Sequence, residues 1–159
     1  MSRDMVDAYV ERLLEEFSGN ETLARDEQGG FPFRYKDCAY TVRVVGPDDR
    51  PAVRVWSITI TEVEKTPDLL DFLNQINQRL VHARVYWTEK AVVFEDAVSG
   101  LALNKGTLES SLTDVLEASN FFAPQLKEKF GGKLTVETAP TEGATDPSAE
   151  LAAGDGLYL

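Results

Sequence analysis

The sequence predicts an α+β domain with an antiparallel five-stranded sheet and the element order α-β-β-β-α-β-β-α. Three segments carry apolar residues at three- and four-residue spacing, which is typical of helices that pack on one side. Five shorter segments alternate apolar and polar residues and are separated by turn-forming residues. Residues 1–133 are expected to form this domain, and residues 134–159 an acidic flexible tail with an apolar end.

The first helix is predicted close to the start of the sequence. Ser2 or Asp4 is positioned to cap its first turn, and Gly19 offers the left-handed conformation with which many helices end. Its apolar stripe consists of Val6, Tyr9, Val10, Leu13, Leu14 and Phe17.

Two strands are predicted after this helix. The first, around Phe31–Tyr35, contains Pro32, which has no amide hydrogen to donate to a neighbouring strand. We therefore expect this strand either to lie at an edge of the sheet or to start after the proline. The second covers Cys38–Val45 and ends at the turn sequence Gly46-Pro47-Asp48-Asp49.

The third strand has the clearest alternation in the chain. Trp56, Ile58 and Ile60 alternate with serine and threonine residues that also favour strands. Val53 and Val55, however, have the opposite phase. This change of phase predicts either a bulge near Val55 or a strand whose first half is covered on its other side.

The second half of the sequence predicts a helix, two strands and a long helix. Thr66 and Pro67 are a strong helix start. Strands are expected at about 83–88 and 91–95, and the last helix at about 107–130. Pro124 is expected to kink or break that helix.

The composition is strongly acidic. The chain has 16 Lys and Arg against 27 Asp and Glu, a formal net charge of −11. Such a charge repels nucleic acids and anionic membranes, so neither is expected as a partner. Basic proteins, basic segments or cations are the expected partners, unless the charge serves only solubility. No Lys or Arg follows Lys133, and we expect about 139–155 to be mobile.

The sequence points to a cytoplasmic protein. Cys38 is the single cysteine, so an intrachain disulfide is excluded and a reducing compartment is favoured. The first residues lack the apolar run of a signal peptide. No stretch reaches the roughly 18 apolar residues of a membrane span.

Residues suited to catalysis or metal binding are scarce. His82 is the only histidine, so neither a zinc site nor a nucleophile–histidine arrangement is predicted, and no cofactor is expected. The acidic pairs Glu15-Glu16, Asp48-Asp49 and Glu95-Asp96 are expected to be solvated. The stretch from Gly100 to Thr107 lacks the spacing of a phosphate-binding loop and is interpreted as a helix entry.

Aromatic residues on the strands suggest a binding surface. Trp56, Tyr86, Trp87 and Phe94 lie on predicted strands, with Tyr86 and Trp87 on opposite faces. Three helices are not expected to cover both faces of the sheet. Either core packing accounts for these aromatics, or a second subunit or a ligand covers the remaining face.

One motif resembles a known family. Leu73-Asn74-Gln75-Ile76-Asn77 is followed by a strand pair that ends in Val92-Val93-Phe94-Glu95, and then by a long helix. This arrangement, over about residues 5–132, resembles the YbjN-like proteins, whose fold is that of type III secretion chaperones. Actinobacterial relatives are grouped as peptide-binding chaperones. The resemblance implies an often dimeric domain that binds an extended segment of another protein.

We therefore predict a non-enzymatic module that binds a protein or peptide and forms a homodimer. The alternative is a small metabolite-binding sensor or enzyme with a pocket between sheet and helix. The candidate peptide-binding residues are Trp56, Ile58, Asn74, Asn77 and Tyr86. For the two asparagines, a structural role in the turn that leads to the next strand is the competing interpretation.

Overall fold

A computed structural model describes residues 1–135 of the chain. Three α-helices are present: α1 (Arg3–Ser18), α2 (Pro67–Asn77) and α3 (Lys105–Phe130). A short 3₁₀ turn, Gly100–Ala102, precedes α3. The strands are β1 (Phe31–Tyr35), β2 (Cys38–Val45), β3 (Ala52–Thr61), β4 (Arg84–Thr88), β5 (Ala91–Ser99) and β6 (Lys133–Leu134).

The strands form one antiparallel sheet, which confirms the predicted fold class. The order is β1-β2-β3-β5-β4, and the proline-containing β1 is an edge strand, as its sequence predicted. The short β6 pairs with β3 at Ile60 and Thr61, beyond the last β2 pair at Ile58. The described sheet therefore has six strands and not the five predicted, and β6 overlaps the segment 134–136, for which the sequence also allows a short strand.

Gly132 explains how β6 reaches β3. Its φ is +81°, a left-handed conformation that side chains disfavour. A Cβ atom at this position would lie 2.4 Å from the carbonyl oxygen of Thr61. Glycine therefore lets the chain turn out of α3 and pass directly against the end of β3.

The predicted boundary between domain and tail falls inside β6, and the predicted mobile segment lies outside the described residues.

The helix starts follow from local sequence. The Ser2 hydroxyl accepts a hydrogen bond from the amide of Met5, and Gly19 ends α1 with a φ of +70°. Thr66 and Pro67 begin α2 as predicted. Asn104 and Thr107 form a capping box, so α3 starts at Lys105, two residues before the expected position.

Pro124 does not break α3, so of the two predicted outcomes, a kink or a break, the break did not occur. The helix continues from Lys105 to Phe130. Phe122, Ala123 and Leu126, on both sides of the proline, are buried in the core. Their packing against the sheet compensates for the backbone hydrogen bond that proline cannot make.

The irregularity of β3 lies later than the predicted bulge near Val55. Pairing with β5 is regular from Ala52 to Ile58, and the register shifts between Ile58 and Ile60. Val53 and Val55 differ in phase from Trp56 and Ile58 because the two pairs face opposite sides of the sheet. The second sequence interpretation, a strand whose first half is covered on its other side, is therefore the correct one.

All three helices pack on one side of the sheet. The main core joins α1, α2 and α3 to one set of alternating strand residues: Tyr40, Val42, Val44, Val53, Val55, Val85, Val92 and Phe94. Trp87 also points to this side, and its indole N–H donates to the carbonyl of Val63 at 2.8 Å. The opposite side of the sheet is left without a helix from residues 1–135.

Candidate functional site

The helix-free side of the sheet, which we call the open face, is defined by the strand register. Residues directly opposite each other in an antiparallel pair point to the same face. Trp56 is opposite Thr41 and Glu95, and Ile58 is opposite Val93. The same rule adds further members of the face, among them Arg34, Ala39, Arg43, Arg54, Arg84, Tyr86, Thr88, Ala91 and Ala97.

The centre of the open face is a second apolar cluster. It consists of Trp56, Ile58, Ala91 and Val93, with Tyr86 packed against it, and it contains no helix residue. Three of the residues that the sequence named as candidates, Trp56, Ile58 and Tyr86, therefore lie together. Val93 and Ala91 were missed, because their neighbours on β5 are apolar too and the sequence does not show which of them share a face with Trp56.

Trp56 has an unusual polar environment. Its side chain is 2% exposed, and its indole N–H is buried without a hydrogen-bond partner among residues 1–135. The guanidinium carbons of Arg54 and Arg43 lie 4.9 and 5.4 Å from the ring centroid. These cations interact favourably with the ring face but leave the N–H unpaired. An unpaired buried donor costs free energy that a ligand oxygen would recover.

Glu95 organises the polar end of the open face. Its carboxylate accepts hydrogen bonds from Arg54 Nε at 2.6 Å and from Arg84 Nε at 2.6 Å. The Tyr86 hydroxyl donates to the same carboxylate at 2.9 Å and accepts from Arg54 Nη2 at 2.7 Å. Burial, the largest cause, raises the pKa of Tyr86, so its hydroxyl stays protonated and able to donate.

The prediction that Glu95-Asp96 is solvated was wrong for Glu95. Glu95 is 3% exposed, and Arg54, which pairs with it, is 8% exposed. The two acids are adjacent on a strand, so their side chains point to opposite faces and meet different surroundings. Arginine neighbours compensate the buried charge of Glu95. Arg54 comes from β3, which is remote in sequence, and Arg84 comes from the adjacent strand β4.

The open face is positively charged although the chain is acidic. On β1–β5 it carries Arg34, Arg43, Arg54 and Arg84 against a single acid, Glu95. The formal charge of these strand residues is thus about +3, whereas the whole chain carries −11. The local charge favours an acidic ligand, which is opposite in sign to the basic partner expected from composition.

The asparagines of α2 lie at the edge of the sheet and not on the open face. Asn77 donates from Nδ2 to the carbonyl of Val85 and accepts at Oδ1 from the Val85 amide, both at 2.9 Å. It therefore fastens α2 to the outer edge of β4, which is the structural role weighed against binding. Asn74 is exposed and lines a shallow cavity of about 500 Å³ together with Asn77 and Tyr86.

A groove on the helix side is the other candidate surface. It lies between α3, the segment 79–83 and the β1–β2 turn, and its volume is about 980 Å³. Its rim carries Val81, Phe121 and Tyr35, which are 87%, 64% and 45% exposed. His82 also lines this groove. The predicted pocket between sheet and helix has its counterpart here.

Two further properties concern metal ligands and helix length. Residues 1–135 bring together no cluster of three or more His, Cys, Asp or Glu side chains suited to a metal ion. Within the same range, none of the helices combines the length and apolar character needed to cross a membrane.

The helices and the sheet together define a small α+β fold over the described residues. Two solved structures share the fold. A chain in the crystal structure of the ExsC–ExsE complex aligns with a TM-score of 0.57 at 19% identity, over 76% of this chain and 95% of that one. A chain in the HopA1–SchA chaperone–effector complex aligns with a TM-score of 0.59 at 14% identity, over 76% and 97%.

A family model gives the particular assignment. Residues 4–138 match the model TY-Chap1, described as type III secretion system (YopN, CesT) and YbjN peptide-binding chaperone 1. The chain belongs to this family, which confirms the resemblance carried by the Leu73–Asn77 motif. No protein among those with curated descriptions matches the sequence.

Proposed function

We propose that this protein is a non-enzymatic, chaperone-like module that binds an extended peptide segment on its open face. The observation that carries the proposal is the second apolar cluster, with a buried and unpaired indole N–H at Trp56. Core packing against the helices does not explain this cluster, because its residues face away from them. Family membership supports the same kind of function.

The chemistry of the face suggests how a peptide would bind. Apolar side chains of the peptide would contact Ile58, Val93 and Trp56, while a carbonyl or carboxylate oxygen would accept from the Trp56 N–H. Arg43 and Arg84, at two sides of the cluster, would attract acidic side chains. An extended segment presents alternate side chains to one face, so an acidic and apolar alternation suits this surface best.

The proposal includes a cytoplasmic homodimer. Cytoplasmic placement rests on the single cysteine, which leaves the chain without an intrachain disulfide and favours a reducing compartment. Dimer formation would cover apolar residues that are exposed in one chain, and Val81 and Phe121 on the helix-side groove are the most suitable. The open face would then remain for the peptide.

Binding is tested with three fluorescent 12-residue peptides in which leucine alternates with glutamate, serine or lysine. We expect the glutamate peptide to bind the full chain most tightly, measured by fluorescence anisotropy. Arg43→Gln should weaken binding of the glutamate peptide about tenfold, which corresponds to a loss of roughly 1.4 kcal/mol of binding free energy. The same substitution should have little effect on binding of the serine peptide. Trp56→Phe, which removes only the N–H and some area, should weaken both peptides.

Leu101→Ala is the matched control, because Leu101 is 69% exposed and lies on the 3₁₀ turn. It should leave all affinities unchanged. Loss of binding in Phe121→Ala, with unchanged binding in Arg43→Gln and Trp56→Phe, would assign the peptide to the helix-side groove and contradict the proposed site. The same peptides are also tested on a variant of the full chain with Leu157→Ser, Tyr158→Ser and Leu159→Ser. If neither the wild-type protein nor this variant binds any of the peptides, the proposed function is refuted.

A further inference from the structure

We propose that residues 136–159 act as a built-in occupant of the open face, which an incoming peptide must displace. This inference rests on the proposed function, since it concerns the same site. It also concerns regulation: the protein would present its binding face only to segments that compete successfully with its own chain. Four observations on the described residues and the sequence lead to it.

The first observation is where the described chain ends. β6 pairs with β3 at Ile60 and Thr61, and the Thr135 amide donates to the carbonyl of Thr59. The Thr135 hydroxyl donates to the carbonyl of Ile58, a member of the apolar cluster. The following residues therefore start at the border of the open face.

The second observation is reach. About 22 residues separate Thr135 from Leu157, and a flexible chain of that length has a root-mean-square span of about 25 Å. The width from β1 to β4 is four inter-strand spacings, or about 19 Å. An apolar group near residue 157 can therefore reach any strand of the face without being stretched.

The third observation is chemical complementarity. Residues 136–159 contain no basic residue and five acids: Glu137, Glu142, Asp146, Glu150 and Asp155. The apolar sequence Leu157-Tyr158-Leu159 follows them. The open face offers an excess of arginines around an apolar cluster. Acidic residues and a short apolar group are the two features that this surface would recognise, and the segment combines them.

The fourth observation is the burial of the cluster. Ile58 and Val93 are 3% and 1% exposed, although the helices lie on the other side of the sheet. Flanking side chains such as Arg43, Arg54 and Tyr86 cover part of the cluster. Apolar side chains at the centre of a sheet face that no helix covers are the part of that face that a bound segment would contact. A segment of the same chain has an effective concentration in the millimolar range at this face. We therefore choose residues 136–159, and not a second copy of the chain, as the occupant.

The test uses the full chain carrying Leu157→Ser, Tyr158→Ser and Leu159→Ser, called the serine variant. Its probe is a synthetic peptide with the sequence of residues 136–159. We expect this peptide to bind the serine variant at least tenfold more tightly than the wild-type protein, because the intramolecular competitor has been weakened. Thr138→Ala, Thr141→Ala and Ser148→Ala together form the control, which changes three residues of the segment but neither its charge nor its apolar group.

A second readout uses Trp56 itself. In a Trp87→Phe background Trp56 is the only tryptophan, and we expect red-shifted emission and stronger acrylamide quenching in the serine variant. If the Trp87→Phe protein does not fold, amide exchange at Ile58 and Val93 in the unmodified background gives the same comparison. Equal peptide affinity and equal exposure of the face in both proteins would overturn the proposal. If the exposure of Trp56 changes with protein concentration and not with the serine substitutions, a second copy of the chain covers the open face.

The two proposals fail in different ways. If the leucine–glutamate peptide binds wild type and serine variant equally tightly, the proposed function stands. The proposal that residues 136–159 occupy the open face is then contradicted. A response of Trp56 to the serine substitutions, with no peptide bound by either protein, would show a permanent cover and refute peptide binding.

Discussion

Glu95 connects three side chains of the open face, and its position has a consequence for stability. Its carboxylate accepts from Arg54, Arg84 and Tyr86, and it is nearly inaccessible to solvent. A buried carboxylate of this kind is tolerated only while its cations remain. The converse also holds, because Arg54 is itself buried and would lose its counter-charge if Glu95 became neutral.

We expect Glu95→Gln to lower the free energy of unfolding by about 3 kcal/mol, since it leaves the buried guanidinium of Arg54 without a charge partner. Urea denaturation followed by circular dichroism measures the change. Glu64→Gln is the control, because Glu64 pairs with Lys90 at the surface and is 74% exposed. Its effect should stay within about 0.5 kcal/mol. Equal effects of the two substitutions would contradict the role assigned to Glu95.

At the level of the helices and strands, α2 and β4 depend on one side chain. The two hydrogen bonds between Asn77 and the Val85 backbone satisfy groups at the sheet edge that no further strand within residues 1–135 pairs. An edge strand with unsatisfied backbone groups is a site for unwanted pairing. Asn77 therefore both positions β4, which carries Tyr86, and closes part of this edge to other chains.

Asn77→Ala should destabilise the protein by about 2 kcal/mol, because two hydrogen bonds of about 1 kcal/mol each are lost. Amide exchange of Val85, measured by NMR, should accelerate more than exchange in β2. Asn74→Ala is the control, since Asn74 is exposed on the same helix, and it should change neither quantity. Acceleration of Val85 exchange in Asn74→Ala to the same extent would show that α2 as a whole, and not the Asn77 contact, is responsible.

On the scale of the whole molecule, the arrangement separates two surfaces. The open face combines arginines with a buried apolar cluster, whereas the helix-side groove exposes Val81 and Phe121. The net charge of −11 conceals this division, because most acids lie on helices, turns and residues 136–159. A peptide and a second subunit can therefore use different sides of the protein.

We expect sedimentation equilibrium at micromolar concentration to give a mass of about 35 kDa, twice the 17.6 kDa of one chain. Phe121→Ser should shift the equilibrium toward the monomer if the helix-side groove forms the interface. Leu70→Ser is a comparison at an exposed apolar residue outside that groove, where Leu70 is 41% exposed. A monomer in the wild-type protein would remove the dimer from the proposed function.

Patterns within single segments were sufficient for most of the fold. The caps at Ser2 and Thr66, the glycine at position 19 and the alternation of Trp56 and Ile58 depend on neighbours a few residues away. Local propensities and periodicity therefore determined the elements, their order and the edge position of β1. The Leu73–Asn77 motif added the family, which the match over residues 4–138 confirmed.

Contacts between remote segments decided the rest. The pairing of β6 with β3, the continuity of α3 through Pro124 and the burial of Glu95 all arise from packing between residues far apart in sequence. The same is true of the candidate site: the register of β3 with β2, β5 and β4 places arginines from separate strands around Trp56. A sequence shows how many charges a chain carries, but only strand register determines which of them share a face, because a shift of one residue would turn each side chain to the opposite side.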